Sequence, residues 1–463
     1  MTGLTACATL FPEAGSIRQP EGNGGHMRLS RRVCLVLAAC AACWGASAGQ
    51  WYKGNLHMHS FWSDGNVVPE QAVAWYRDHG YHFVCLSDHQ LVQTDTNVWR
   101  EAGTKKFSKE VADAYLSEYA ATAQSKTEGG KRFVRLQTVG ELKRVFDKAG
   151  AFLMIPGLEV NRVVAGRQVH MNGINVHETI PYRYGDTPLE TFTRIEAAVR
   201  AWGDEHGQKT LFMLNHPTWP YFDITPDVLI ALPHVRFFEL CNADGGPTSA
   251  PHPEWYTIEK FWDVVNAFRI EDGHDPVFGT GTDDTHNYTE PGASAAPGGA
   301  WVCVNAERLE TDALLRAMYR GDFYASTGVA LESVTFDEAS GRLDVRVKPE
   351  EGVTHTVRFV TTKAGFDRTV ATFDDPAAGK RAARTGVRYA EAIGTVAATV
   401  EGHTATYELA PDDLYVRATV VSSRRPGFSG NNTPAFETAW TQPYGWRTWQ
   451  RRNPVAARLT PKK

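Results

Sequence analysis

From residue 54 to about 330, short apolar runs alternate with amphipathic stretches, which predicts repeated strand and helix units around a parallel sheet. Helix boundaries are legible within this rhythm. Pro69 opens PEQAVAWYRDHG, which Gly80 closes, and Thr138 with Glu141 predicts a capping box on a helix running to Gly150. Residues 91–132 interrupt the alternation with a polar, partly helical excursion, either a cover for a site or a solvated surface insertion. After about residue 331 the period becomes two. Leu343, Val345 and Val347 alternate with Asp344, Arg346 and Lys348, and Val416, Ala418 and Val420 alternate with Tyr415, Arg417 and Thr419. Residues 331–440 are therefore expected to form a small all-β sandwich of half-buried strands. Residues 441–463 read as a basic, solvated C-terminal tail: from Trp446 on they hold Arg447, Arg451, Arg452, Arg458, Lys462 and Lys463 and no acid.

The N-terminus follows a different pattern. Met27 begins RLSRR, then the apolar run VCLVLAACAACW, then Ala46-Ser47-Ala48, the layout of a secretory signal peptide over residues 27–48. Residues 1–26 fit no part of it and read as an N-terminal extension or a misassigned start. The run is shorter than the roughly 20 residues a membrane span needs, so the mature chain is expected to lack one and to be exported, periplasmic or extracellular. Leu37-Ala38-Ala39-Cys40 resembles a lipoprotein box, which would put a lipid anchor on Cys40, and Ser30-Arg31-Arg32 resembles a twin-arginine signal. A charged fraction of 22% beside 42% hydrophobic residues argues against disorder and against a multi-span membrane protein. The formal charge of -5 argues against a nucleic-acid partner. Cys85, Cys241 and Cys303, the cysteines beyond residue 48, each sit inside an apolar run and read as buried small hydrophobes rather than a disulfide framework.

Thirteen of the 16 histidines lie between positions 57 and 286, so the first domain, residues 50–330, is enriched in the commonest metal-binding side chain. Their placement is more specific than their number. His57 and His59 end NLHMH, His89 ends YHFVCLSDH, Glu159 ends AFLMIPGLE, His216 ends LFMLNH, and Asp284 and His286 follow PVFGTGTDDTH. Each sits where an apolar strand gives way to a loop, and in parallel α/β folds those strand ends face one crevice. Any one of them alone reads equally well as a loop residue or a turn. Unrelated structural roles would not place His or acid after so many successive strands. Imidazole and carboxylate ligands suit zinc, manganese or iron, and a shared carboxylate such as Glu159 can bridge two ions. Such ions lower the pKa of bound water towards about 7 and supply hydroxide as a nucleophile, so the expected chemistry is hydrolysis.

GNLHMHSFWSDG, the Pro-Glu helix and YHFVCLSDH resemble the first two motifs of the polymerase-and-histidinol-phosphatase (PHP) superfamily of metallohydrolases. GLEVN, VHMNGINV, NHP and DDTH follow in the family's order, over residues 53 to about 290. The resemblance implies an α/β fold, a distorted seven-stranded (βα) barrel, with two or three divalent metal ions at its carboxyl face. Carried onto this chain, it assigns His57, His59, Glu159 and Asp284 to one ion and Glu159, His170 and His216 to a second. A third would use His89, His286 and Asp64, where several family members have histidine. His177 is a rival to His170, and Asp88 and Asp283 adjoin ligands and are expected to orient imidazoles. GDFYASTGVALESV, followed by a sandwich ending in AWTQPY, is similar to the exported carbaryl-hydrolase-like branch; it marks Tyr324 and Ser326 as near the site or as packing at the domain junction.

The family's commonest substrates are phosphate esters, so a small-molecule ester is the expected substrate. Arg162 and Arg167 would pair with phosphate oxygens or lie exposed on a hairpin, and Trp62 and Trp219 would wall an aromatic leaving group or pack the rim. The aromatic walls keep a carbamate or amide ester hydrolase open as the alternative to a phosphoesterase. A secreted metal-dependent ligand-binding protein without turnover is the reading from a different class.

Overall fold

The apolar runs preceding the metal-ligand candidates fold as strands in the computed structural model, which describes residues 49–219, 222–244, 256–376, 383–427 and 434–455. The signal-peptide layout, Cys40, Arg31 and Arg32, and the last basic residues Arg458, Lys462 and Lys463 lie outside the described residues. Seven strands neighbour one another in chain order: Gln50–Asn55, Phe83–Leu86, Leu153–Val164, Arg167–Ile174, Leu211–Leu214, Phe237–Asn242 and Phe278–Thr282. Most of these pairs are parallel, as the strand and helix alternation predicts. The exception is Arg167–Ile174, which is antiparallel to both neighbours. It returns from Leu153–Val164 through Ala165 and Gly166, both left-handed (φ 50° and 76°), the tight hairpin geometry that Gly accommodates without strain. The last strand also meets the first. His59 N–H donates to the Thr285 carbonyl at 2.9 Å and Asp284 N–H to the His57 carbonyl at 3.0 Å, so the run comes back on itself.

The first strand has a second neighbour. Gln50–Asn55 pairs antiparallel with Trp301–Ala306, and from there the sheet continues through Phe323–Ser326, Thr438–Thr441, Asp413–Ser422, His355–Lys363 and Thr395–Glu401. Strands from beyond residue 331 are thus hydrogen-bonded into the same mixed sheet as the metal-bearing strands. A three-stranded sheet, Leu331–Asp337, Arg342–Val347 and Thr404–Glu408, shares a core with this extension through Leu343, Val345, Val357, Phe359, Val416 and Val420. Arg342–Val347 is buried on one face, as its alternation predicts. Asp413–Ser422 is not: the helix Ile258–Glu271 covers the face expected to meet solvent, and Tyr415, Arg417 and Thr419 are buried. Arg417 donates to the Asp263 carboxylate from Nε (2.8 Å) and Nη2 (2.6 Å), and Tyr415 OH donates to the same group at 2.7 Å. Polar residues at alternate positions mark a polar face, and here that face meets a polar partner instead of water.

Three local expectations are corrected. The capping box forms, with the Glu141 N–H donating to Thr138 Oγ1 and the Thr138 N–H to Glu141 Oε2, but the helix is Val139–Phe146 and stops short of Gly150. Asp147 leaves the helix because its carboxylate accepts the Met154 N–H at 2.8 Å. Residues 91–132 contain the helix Lys109–Glu118, capped by Ser108, and strands Trp99–Glu101 and Ser125–Glu128 that pair with Lys131–Arg135. Their apolar side chains join Phe61 and Trp62 in one buried cluster, so this insertion is a packed subdomain rather than a solvated excursion. The tail begins with a docked helix, Trp446–Arg452, whose Trp446 and Trp449 are buried. Cys85, Cys241 and Cys303 are buried, and none is in a disulfide among the described residues. Among the described residues no helix is long and apolar enough to cross a membrane.

Candidate metal centre

Side chains two apart on an extended chain point the same way. His57 and His59, just past Gln50–Asn55, therefore face one cavity while Met58 between them enters the core. Asp284 and His286 repeat this spacing past Phe278–Thr282, and His89 and His216 follow Phe83–Leu86 and Leu211–Leu214. Glu159 differs from expectation, lying within its strand rather than at the end, and His170 lies within its strand as a strand histidine should.

Glu159 is the centre of the assembly. Its Oε1 is 3.1 Å from His170 Nδ1 and 3.8 Å from His216 Nε2; its Oε2 is 2.8 Å from His89 Nδ1, 3.4 Å from His57 Nε2 and 3.5 Å from His59 Nε2. Asp284 Oδ1 is 3.1 Å from both His57 Nε2 and His59 Nε2, and Asp284 Oδ2 is 3.6 Å from His216 Nε2. Asp64 closes the outer edge, 3.3 Å from His286 Nε2 and 3.5 Å from His89 Nε2. Three overlapping groups result: His57, His59 and Glu159; Glu159, His170 and His216; and His59, Asp64, His89 and His286. All nine expected ligands are brought together. The turn carrying Asp64 depends on Gly65, where a Cβ would lie 2.7 Å from the His59 carbonyl group.

The donor set fits divalent cations. Glu159 Oε2 is buried and accepts no well-aligned hydrogen bond, although three imidazole nitrogens surround it. A buried carboxylate oxygen left this way is costly unless a cation satisfies it. His57 Nε2 and His59 Nε2 lie only 3.2 Å apart, which suits two lone pairs aimed at a common ion. The two neighbouring imidazoles have opposite acidities. Burial opposes the charged form of His57, but Asp284, Glu159 and Glu239 outweigh it and raise its pKa well above the usual value. Burial, reinforced by His286 and His89, pushes His59 down to about 3. Glu159 is held well below the usual carboxylate range: burial would raise it, but His57 and His170 prevail. His216 and Asp284 also hold left-handed backbone, at φ 25° and 51°, a strain that persists where surrounding bonds enforce it.

Glu239 does much of that enforcing and is absent from the sequence-derived set. It is fully buried, accepts the His57 Nδ1–H at 2.6 Å, and accepts the His216 N–H (2.9 Å), Asn242 Nδ2 (2.8 Å) and Thr282 Oγ1 (2.7 Å). All of its acceptor capacity is used by protein donors, so it orients ligands rather than binding metal. The signal was a lone glutamate inside the apolar run FFELC. Asp88 and Asp283, expected to orient imidazoles, hold backbone instead. Asp88 accepts Ser60 N–H (2.8 Å), Ser63 N–H (3.1 Å), both serine hydroxyls and Gln93; Asp283 accepts the N–H groups of Gly298, Gly299 and Ala300 and the Tyr76 hydroxyl.

His177 points elsewhere, bonded to Asn175 Oδ1 at 2.9 Å, which leaves His170 as the histidine facing Glu159. Trp219 stacks on the His216 ring with centroids 4.1 Å apart, and Phe222 meets the same ring edge-on. Trp62 is buried and donates to the Gln137 carbonyl at 2.8 Å. Arg162 is exposed, its guanidinium 4.9 Å from the Tyr184 ring, and Arg167 Nη1 donates to the Asp223 carbonyl at 3.3 Å. Tyr324 OH accepts the Leu331 N–H at 3.1 Å and Ser326 Oγ donates to the Val329 carbonyl at 2.7 Å, contacts of the junction between the two halves of the sheet.

Neither a family model nor a curated relative matches the chain. Solved structures do. A two-domain protein of Bacteroides vulgatus, containing a predicted PHP-like metal-dependent phosphoesterase, is similar over 84% of this chain and 95% of its own, at 13% identity and a TM-score of 0.36. A Bifidobacterium adolescentis protein assigned as a metal-dependent phosphoesterase is similar over 53% and 92%, at 13% identity and a TM-score of 0.28. An amidohydrolase of Chromobacterium violaceum, with bound sulfate and no metal, is similar over 52% and 89%, at 13% identity and a TM-score of 0.26. Likeness this distant leaves the function of this chain to be read from its own residues.

Proposed function

We propose that the chain is a multinuclear metal-dependent hydrolase of the PHP type, acting as an exported phosphoesterase on a small-molecule ester. The observation that carries the reading is Glu159, a buried carboxylate whose two oxygens face five imidazoles in three overlapping ligand groups. We read the seven strands that return on themselves as the distorted barrel of that superfamily, and the signal-peptide layout of residues 27–48 as the route of export. His57, His59, Glu159 and Asp284 would hold one ion, Glu159, His170 and His216 a second, and Asp64, His89 and His286 a third. Divalent ions there would lower the pKa of a bound water and stabilise charge developing on the ester oxygen.

The chain's own residues supply the rest. Glu239 fixes the His57 ring, and Ser63 Oγ lies 3.3 Å from His59 Nδ1 and orients that ring from the far side. Arg162 and Arg167 are proposed to meet the phosphate oxygens, and Trp219, stacked on His216, to wall the reacting end of the ester. Hydrolysis adds water across the ester: the water oxygen bonds to phosphorus, the ester P–O bond breaks, and the departing alcohol oxygen keeps that electron pair and takes a proton. Trp219 and Phe222, packed on His216, equally favour an aryl carbamate, which is the second reading.

Protein purified without chelator is expected to carry at least two divalent ions per chain, and His216→Ala to lose one of them together with turnover. One ion or none in the wild type would sink the multinuclear reading. A panel of phosphomonoesters, phosphodiesters and aryl carbamates with manganese, zinc or iron decides the bond; metal-loaded protein that turns over none of them is a binding protein.

A further inference from the structure

Asp64, the ligand candidate that is half exposed, stands at the outer edge of the metal centre and also lines a cavity of about 430 Å³. This volume is in the range of small-molecule sites. Its walls come from two sources: Phe61 and Asp64 from the loop after His59, and Arg100, Lys105, Lys106 and Phe107 from the insertion. Phe61 and Phe107 pack ring to ring at 4.9 Å and form an apolar side. Arg100 is committed to the protein, donating to the Phe61 carbonyl at 2.5 Å and the Ser63 carbonyl at 3.0 Å, and so holds the turn that carries Asp64. Glu101 is neutralised by Lys131 at 2.9 Å.

Lys105 and Lys106 are therefore the charges left to act on a guest. Both are exposed. Lys106 Nζ donates to the Asp64 carbonyl at 3.3 Å, which directs its ammonium along the cavity wall and leaves two of its three protons for another acceptor. Carboxylates at Asp64 and Glu101 are already engaged by His286, His89 and Lys131, so they do not cancel the lysines.

We infer that this cavity is the subsite for the organic half of the substrate, and that it selects an ester whose aryl or similarly apolar body ends in a carboxylate. The reacting group sits at the Asp64 edge of the metal centre, the apolar body lies along Phe61 and Phe107, and the distal carboxylate meets Lys105 and Lys106. The inference rests on the hydrolase reading and names the substrate class for it. The insertion of residues 91–132 is then a specificity element.

The test compares phenyl phosphate with 4-carboxyphenyl phosphate in metal-loaded wild type and in the double variant Lys105→Glu, Lys106→Glu. The wild type is expected to favour the carboxylated ester, and the variant to lose about tenfold in the ratio of the two kcat/KM values, with the wild-type preference weakening as salt is raised. A ratio that the variant leaves unchanged overturns the subsite. Failure of the hydrolase reading is recognised separately, by wild type that cleaves neither ester. In that event direct binding of 4-hydroxybenzoate, followed by calorimetry, decides: binding that the double variant weakens about tenfold retains the site, and no binding by the wild type removes it.

Discussion

Glu239 shows how a residue that binds no metal governs a metal centre. Its carboxylate at His57 Nδ1 fixes the ring orientation in which Nε2 faces Asp284 and Glu159, and its second oxygen restrains the left-handed backbone of His216. Glu239→Gln presents an amide that donates as well as accepts, which no longer dictates that orientation. The variant is expected to fold and to bind divalent metal roughly 10- to 100-fold more weakly in a chelator competition. Unchanged metal affinity would remove Glu239 from this role. At this scale the ligands were legible because HxH and DxH place like side chains on one face and end apolar runs. Glu239 was not, since a single acid in FFELC has no spacing that distinguishes an orienting group from an edge residue.

The helix Pro69–Asp78 carries a buried acid in its first turn, Glu70, whose Oε1 accepts the Tyr115 hydroxyl of the insertion at 2.6 Å. Burial pushes the Glu70 pKa up to about 7, against the bond from Tyr115. In the unfolded chain this carboxyl ionises near 4.5, so the folded state favours the proton. The stability it contributes is full below about pH 4.5 and is lost as pH rises through about 7. Glu70→Gln keeps an acceptor for Tyr115 and cannot ionise. Above pH 8 it is expected to be more stable than wild type by roughly 2–3 kcal/mol, with no difference near pH 4, in urea melts across that range. Equal pH profiles would show that Glu70 is not the titrating group. The pattern Pro-Glu marked this helix and its start. It was silent on the insertion, because Ser125–Glu128 is exposed and polar throughout, and such a strand exists only by pairing with Lys131–Arg135.

For the molecule as a whole, the buried Asp263–Arg417 pair ties the helix Ile258–Glu271 to the strand Asp413–Ser422. Removing Asp263 leaves the buried Arg417 guanidinium with the partly exposed Glu259, 3.0 Å from Nη1, as its remaining carboxylate partner. Asp263→Ala is expected to cost roughly 3–5 kcal/mol, read as a lowered midpoint in denaturant, whereas replacing both members by apolar groups of similar volume should recover most of the loss. Because the sheet runs without a break from the metal-bearing strands into those beyond residue 331, both variants should unfold in one transition. Two separate transitions would mean that the halves are independent.

The sequence by itself determined the strand and helix alternation to residue 330, the two-residue period beyond it, and seven of the nine clustered ligand candidates, because each depends on spacing along one strand or turn; His170 and Asp64 followed only from the family resemblance. Tertiary structure alone decided which polar faces are covered, as at Arg417, where the insertion packs, and that Glu239 stands behind His57. Those outcomes depend on which distant segment arrives to satisfy a buried polar group, and periodicity along a single strand carries no record of its partner.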